Sequence, residues 1–172
     1  ETSEHSEGNI ISRIGLKAKA IIADKDFNFI EFIKDNKTAN LSCILIDEAQ
    51  FLTKSQVRQL GEIADRLNYP VMCYGIRTDF RGELFDGSSE LLALADNLVE
   101  LKTICSECAR KATMVIRRDK DGSVITEGSK VVVGGIIYFS LGDYWISELS
   151  PAGEAFAGIT DEPAAPAVAQ TG

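Results

Sequence analysis

The stretch "LSCILIDEAQFLT", residues 41 to 53, constrains the fold more than any other part of the chain. Cys43 to Ile46 are apolar without alternation, and the run stops at two adjacent carboxylates, Asp47 and Glu48. A strand with no polar face is buried on both sides, as in a parallel sheet covered by helices. Such sheets bind ligands beyond the carboxyl ends of their strands, where this acidic pair would stand.

The surrounding pattern agrees with that architecture. "KAKAIIA" (17 to 23) predicts a short strand, "FNFIEFIKDN" (27 to 36) a short helix and "LSCILI" (41 to 46) the next strand. "TKSQVRQLGEIADRL" (53 to 67) carries Val57, Leu60, Ile63, Ala64 and Leu67 at helical spacing, with Thr53 or Ser55 as cap. "PVMCYGI" (70 to 76) predicts a strand, "SSELLALAD" (88 to 96) a helix opening on a serine cap, and "NLVELK" (97 to 102) a further strand. Strand and helix alternating in this order imply right-handed crossovers and a parallel α/β sheet with helices on both faces. After residue 103 the texture changes to β-rich segments divided by "DKDG" and "EGS" turns, which predicts a small β appendage over 104–149. Residues 150–172, rich in Ala, Pro and Gly, have the composition of a disordered tail.

With 45% hydrophobic residues the chain can bury a sizeable core, and its net charge of -8 disfavours broad binding to nucleic acid or anionic membrane. No apolar run reaches the length of a membrane span, about 20 residues. Neither nucleic acid nor membrane is therefore expected as a partner. Of four cysteines, Cys43 and Cys73 lie in strand-like runs, while Cys105 and Cys108 form a C-x-x-C pair. With no secretory signal pattern, that pair points to metal or redox chemistry, and the location to the cytoplasm.

Three groups could carry chemistry. Asp47 and Glu48 could hold Mg²⁺ and act as a general base, although an ordinary strand ending at a solvated acidic turn would look the same. "YGIRTDFRGELF" (74 to 85) leaves the next strand on the same edge with two arginines and two phenylalanines. Aromatic rings there could enclose a flat base and an arginine could meet phosphate; a surface loop covering the core is the other reading. "CSEC" offers half of a four-ligand zinc site, and the single histidine, His5, is far away in sequence.

Together, "ILIDEAQFL", "CYGIRTDFRGELF", "LVELKTICSECARKATM" and "EGSKVVVGG" fall in the order and spacing of type II thymidine kinases, particularly bacterial ones, and "GNIISRIGLKAKAI" is similar to the segment upstream in those enzymes. The resemblance runs from about residue 8 to about residue 149 and joins several separate motifs. It implies a RecA-like α/β domain, a zinc ribbon, and a lasso loop over the nucleoside. It also implies ATP-dependent phosphorylation of the 5′-hydroxyl of thymidine, or deoxyuridine, in nucleotide salvage for DNA synthesis. ATP and Mg²⁺ are the implied cofactors, zinc a further one, and a homo-oligomer, usually a tetramer, the implied assembly. By the same resemblance Glu48 is the catalytic base. Asp47, Gln50 and Arg77 stand on the cofactor side, with Asp47 linked to Mg²⁺. Ile76, Phe80, Phe85, Gly134 and Tyr138 surround the thymidine, and Cys105 and Cys108 form the first zinc pair.

The chain departs from the family pattern in three places. No G-x-x-x-x-G-K-[ST] phosphate loop occurs in the 172 residues. In the family that loop lies one βα unit upstream, so it is expected ahead of Glu1, and the chain alone is expected to be inactive. The second zinc pair should fall near Gly142 and Trp145, where no ligand stands. The lasso carries Ile136 and Ile137 in place of polar residues, and Val115 takes the position of a base-contacting threonine or asparagine. The alternative to a kinase is a non-catalytic remnant that binds nucleosides or serves assembly.

Overall fold

The structure is a computed structural model that describes residues 8–11, 16–36, 41–105, 109–112, 114–119, 121–130 and 144–149. In chain order the elements are β1 (Asn9–Ile11), β2 (Lys17–Lys19), α1 (Phe29–Asn36), β3 (Ile44–Ile46) and a 3-10 turn (Ala49–Phe51). They continue with α2 (Lys54–Leu67), β4 (Val71–Ile76), α3 (Asp86–Leu94), β5 (Asn97–Leu101), β6 (Arg117–Arg118), β7 (Val124–Ile125) and β8 (Tyr144–Leu149). Two small antiparallel pairs, β1–β2 and β6–β7, are separate from a four-stranded sheet in the order β3-β4-β8-β5.

That sheet is mixed, which corrects the expectation of a purely parallel one. β3 and β4 pair parallel. β8 runs antiparallel to both β4 and β5 and lies between them. β3, β4 and β5 therefore point the same way, as their helical crossovers require, and a strand from far along the chain fills the gap. Residues 144–149, which the sequence pattern groups with the β appendage, belong to this main sheet. An apolar run records that a strand is buried; it does not record the neighbour or its direction. The expected strand over 17–23 is also shorter, since only Lys17–Lys19 finds a partner.

Helix α2 organises the core. Thr53 caps it: the Gln56 N–H donates to Thr53 Oγ1 at 3.2 Å and the Thr53 N–H donates to Gln56 Oε1 at 3.0 Å, a reciprocal capping box. Val57, Leu60, Ile63 and Ala64 fall on one stripe and are buried against Ile44, Val71 and Cys73 of the sheet and against Phe29 and Leu91. Burying each large side chain contributes roughly 1.5–3 kcal/mol. The helix ends at Asn68, which adopts the left-handed conformation at φ 59. Its polar side chains also fix the start of α1. Gln59 Oε1 accepts the Phe29 N–H at 2.8 Å, and Gln56 Nε2 donates to the Asp24 carbonyl at 2.7 Å.

α2 and α3 pack on each other and both touch β8, so they share one face of the sheet. Among the described residues, helices cover this face, and the expected layer on the opposite face is not seen. Helix α3 starts two residues before the expected serine. Phe85 stands at its N-cap position without a side-chain bond, while Ser88 Oγ donates to the Ile76 carbonyl at 2.7 Å. The "DKDG" turn joins β6 to β7 as expected, with Asp119 Oδ1 accepting the N–H groups of Asp121 and Ser123.

Candidate active site

β3 and β4 deliver their carboxyl ends to the same edge of the sheet. Asp47 and Glu48 follow β3 directly, and both are exposed. Glu48 adopts the left-handed conformation at φ 53 and ψ 37, which a side chain with a Cβ rarely occupies. Two hydrogen bonds hold it there. Its N–H donates to Asp47 Oδ1 at 2.9 Å. Its carboxylate accepts from the Gln50 carboxamide, Nε2 to Oε2.

Gln50 itself is buried, and its Oε1 accepts the Ile76 N–H of β4 at 3.2 Å. One amide thus ties the carboxylate after β3 to the backbone of the neighbouring strand. Two glycines leave room for this bracket. A Cβ on Gly75 would stand 2.6 Å from Gln50 Oε1 and 3.1 Å from its backbone nitrogen. A Cβ on Gly87, in the first turn of α3, would stand 2.5 Å from the Ala49 carbonyl oxygen and 2.8 Å from that of Leu52. The turn carrying Glu48 is therefore wedged between the end of β4 and the start of α3. Beside it opens a shallow cleft lined by Gln50, Gly75, Ile76, Arg77, Ser88 and Leu91.

The loop after β4 doubles back through a bridge between Thr78 and Leu84. Asp79 is its internal knot. Its carboxylate is fully buried and accepts the N–H groups of Arg81 and Glu83 at 2.9 and 3.0 Å, and Arg81 Nε and Nη2 at 3.1 and 3.0 Å. Burial alone would raise the Asp79 pKa. The two backbone donors and the Arg81 guanidinium outweigh it and hold the carboxyl below the ordinary carboxylate range. Phe80 and Phe85 flank this knot and are both buried.

Phe51, half-exposed, meets Phe85 edge-to-face at 5.7 Å between centroids. It is a third ring at the site that the sequence reading passed over, although it follows Gln50 directly. Arg117 was passed over as well: its guanidinium lies 4.0 Å from the Phe80 ring centroid. The structure thus brings Asp47, Glu48, Gln50, Ile76, Arg77, Phe80 and Phe85 to one region after β3 and β4. Gly134, Tyr138 and Cys108 lie outside the described residues.

Cys105 sits in a tight turn in which its N–H donates to the Arg110 carbonyl at 2.7 Å and its carbonyl accepts the Ala109 N–H at 3.0 Å. Among the described residues no group of three or more His, Cys, Asp or Glu side chains is placed to hold a metal ion. A structural zinc needs four ligands, so the described donors do not complete a site. The exposed carboxylate of Asp47 at a strand end has the hard oxygen chemistry that suits Mg²⁺. The buried Cys73 thiol, pushed up to about 12 by desolvation, is an inert part of the core.

The family model described as thymidine kinase matches residues 2–135. A thymidine kinase of Aliivibrio fischeri is 56% identical over 129 residues, which cover 74% of this chain and 67% of that protein. One of Shewanella oneidensis is 53% identical over 132 residues, 76% of this chain and 68% of that protein. One of Salmonella paratyphi A is 53% identical over 129 residues, 74% of this chain and 62% of that protein. This chain spans about two thirds of the length of these relatives, and the family match extends over most of its residues: it belongs to the thymidine kinase family.

Proposed function

We propose that the protein phosphorylates the 5′-hydroxyl of thymidine with ATP, and that the sheet edge after β3 and β4 is the site of the reaction. One observation carries this reading: the Gln50 carboxamide links Glu48 to the Ile76 backbone, from which the loop bearing Phe80 and Phe85 departs. A base for a hydroxyl and an aromatic enclosure for a nucleobase are thereby held in register.

A hydroxyl is a poor nucleophile at neutral pH and needs a positioned base as it attacks phosphorus. Glu48 takes the proton of the 5′-hydroxyl as the new O–P bond forms and the bond from the γ-phosphorus to its bridging oxygen breaks, leaving ADP. Its left-handed backbone turns the side chain out of the strand direction, and Gln50 fixes one carboxylate oxygen while the other stays available. Asp47 would hold Mg²⁺, which neutralises charge on the transferring phosphate. Ile76, Phe80 and Phe85 enclose the base, with Arg77 on the phosphate side. The fold that best accounts for the parallel direction of β3, β4 and β5 is RecA-like. A zinc ribbon around Cys105 and Cys108, a tetrameric assembly and a cytoplasmic location belong to the same reading. Among the described residues no helix is long and apolar enough to cross a membrane.

The test uses the protein expressed with whatever segment precedes Glu1 in its gene, assayed for transfer of labelled γ-phosphate to thymidine. Glu48→Gln should lower kcat by roughly 10²–10⁴-fold while changing the KM for thymidine little, because a base acts mainly in the transition state. A variant with nearly full kcat would remove Glu48 from the role.

A further inference from the structure

We infer that Arg117 is a positioning residue for the nucleoside, acting through the ring of Phe80; the inference rests on the nucleoside-kinase reading above. Arg117 lies on β6, far in sequence from the loop it contacts. Its guanidinium carbon stands 4.0 Å from the Phe80 centroid, stacking distance for a cation on an aromatic face. The same guanidinium donates through Nη1 to the Ser129 carbonyl at 2.9 Å and through Nη2 to the Lys130 carbonyl at 3.4 Å. Its Nε is buried with no hydrogen-bond partner. A buried guanidinium with one donor left over is costly, so its place is set by the stack and the fork rather than by full satisfaction.

A return link runs beside it. Lys130 Nζ donates to the Leu84 carbonyl at 3.1 Å and lies 5.9 Å from the Phe85 centroid. Two cations from the 117–130 segment therefore sit over the two phenylalanines of the 77–85 loop. Asp79 stiffens that loop from within, but every bond of its carboxylate stays inside the loop. Arg117 is what ties the plane of Phe80 to a separate element. The Arg81 guanidinium of the same loop lies farther off, 5.9 Å from the Phe80 centroid, so the closer Arg117 is the cation that fixes the plane the ring can present to a flat base. Only a planar group with several donors can stack on the ring and bond two carbonyls together. Lysine keeps the charge but lacks the planar fork that lies flat on the ring while reaching two carbonyls; methionine keeps the apolar stem alone.

The experiment compares the protein, expressed with whatever precedes Glu1 in its gene, to Arg117→Lys and Arg117→Met. In both variants the KM for thymidine should rise roughly tenfold, within the range of a desolvated cation–π contact, while kcat and the KM for ATP stay within about twofold. Hydrogen exchange over residues 77–85, measured without nucleoside, should quicken in both. Unchanged thymidine KM in an active, folded Arg117→Met overturns the inference and leaves the kinase reading intact. Equal losses in all three parameters, or unfolding of both variants by circular dichroism, also overturn it, because Arg117 would then be merely structural. A wild-type protein that transfers no phosphate to thymidine overturns the kinase reading and this inference together.

Discussion

At the scale of the residue, Gln50 shows how a motif position acquires its role. The sequence places it beside an acidic pair and, by resemblance, on the cofactor side. The structure shows its carboxamide engaged by Glu48 and by the Ile76 N–H. That arrangement was not legible, because Gly75 and Ile76 lie a whole helix away in sequence and only strand pairing brings them near. It has a consequence for Gly75. Gly75→Ala sets a methyl against the buried amide with backbone on its other side, so the amide must move and release Glu48. A misplacement of about 1 Å costs up to roughly 100-fold in rate, so kcat should fall by about 10–100-fold with the thymidine KM little changed. Adding Gln50→Ala should cost little more, since the clashing group is then gone. Strictly additive losses in steady-state kinetics would refute the bracket. Asp79 gives a pH prediction. Its folded pKa is depressed, so its stabilisation is complete above the unfolded carboxylate pKa and is lost as pH falls through the lower folded value. Protection of the 77–85 amides, taken as hydrogen exchange relative to the intrinsic rate at each pH, should therefore fall in acid, below about pH 4, in the wild type. In Asp79→Asn the loop should already be loose at neutral pH, with no such acid step.

At the scale of the element, legibility followed local information. Helix α2 was readable to within a residue, because its apolar spacing and Thr53 cap are both written in consecutive positions. Helix α3 was readable in existence but not in its start. Gly87, a poor helix former, sits in its first turn because no larger residue fits against the Ala49 and Leu52 carbonyls. β8 was readable as a strand-forming segment and unreadable as a member of the main sheet. The importance of α2 can be measured by urea denaturation. Leu60→Ala should destabilise by about 2–5 kcal/mol through the cavity it leaves in a fully buried position. Thr53→Ala should cost about 1 kcal/mol through the lost cap. A larger loss for the cap than for the core leucine would mean that α2 does not organise the core.

At the scale of the whole molecule, the candidate site is assembled from segments that meet only because the sheet aligns them. β3 brings the acidic pair, β4 the aromatic loop, α3 the close-packed glycine, and β6 the arginine over Phe80. The interposed strand β8 bears on how such a chain emerges from the ribosome. β4 pairs with residues 144–149 along its whole length but with β3 only at Val71 to Cys73, so most of its pairing waits for a segment made long after it. Synthesis at about 5–20 residues per second leaves the two strands that flank the gap with open edges for several seconds. Exposed edges of that kind are templates for pairing with other chains. Nascent chains halted after residue 140 plus a tunnel-spanning linker should therefore be readily cut by protease and prone to aggregate. Chains halted with residue 149 outside the tunnel should resist. Equal resistance at both lengths would show that the sheet closes without its last-made strand.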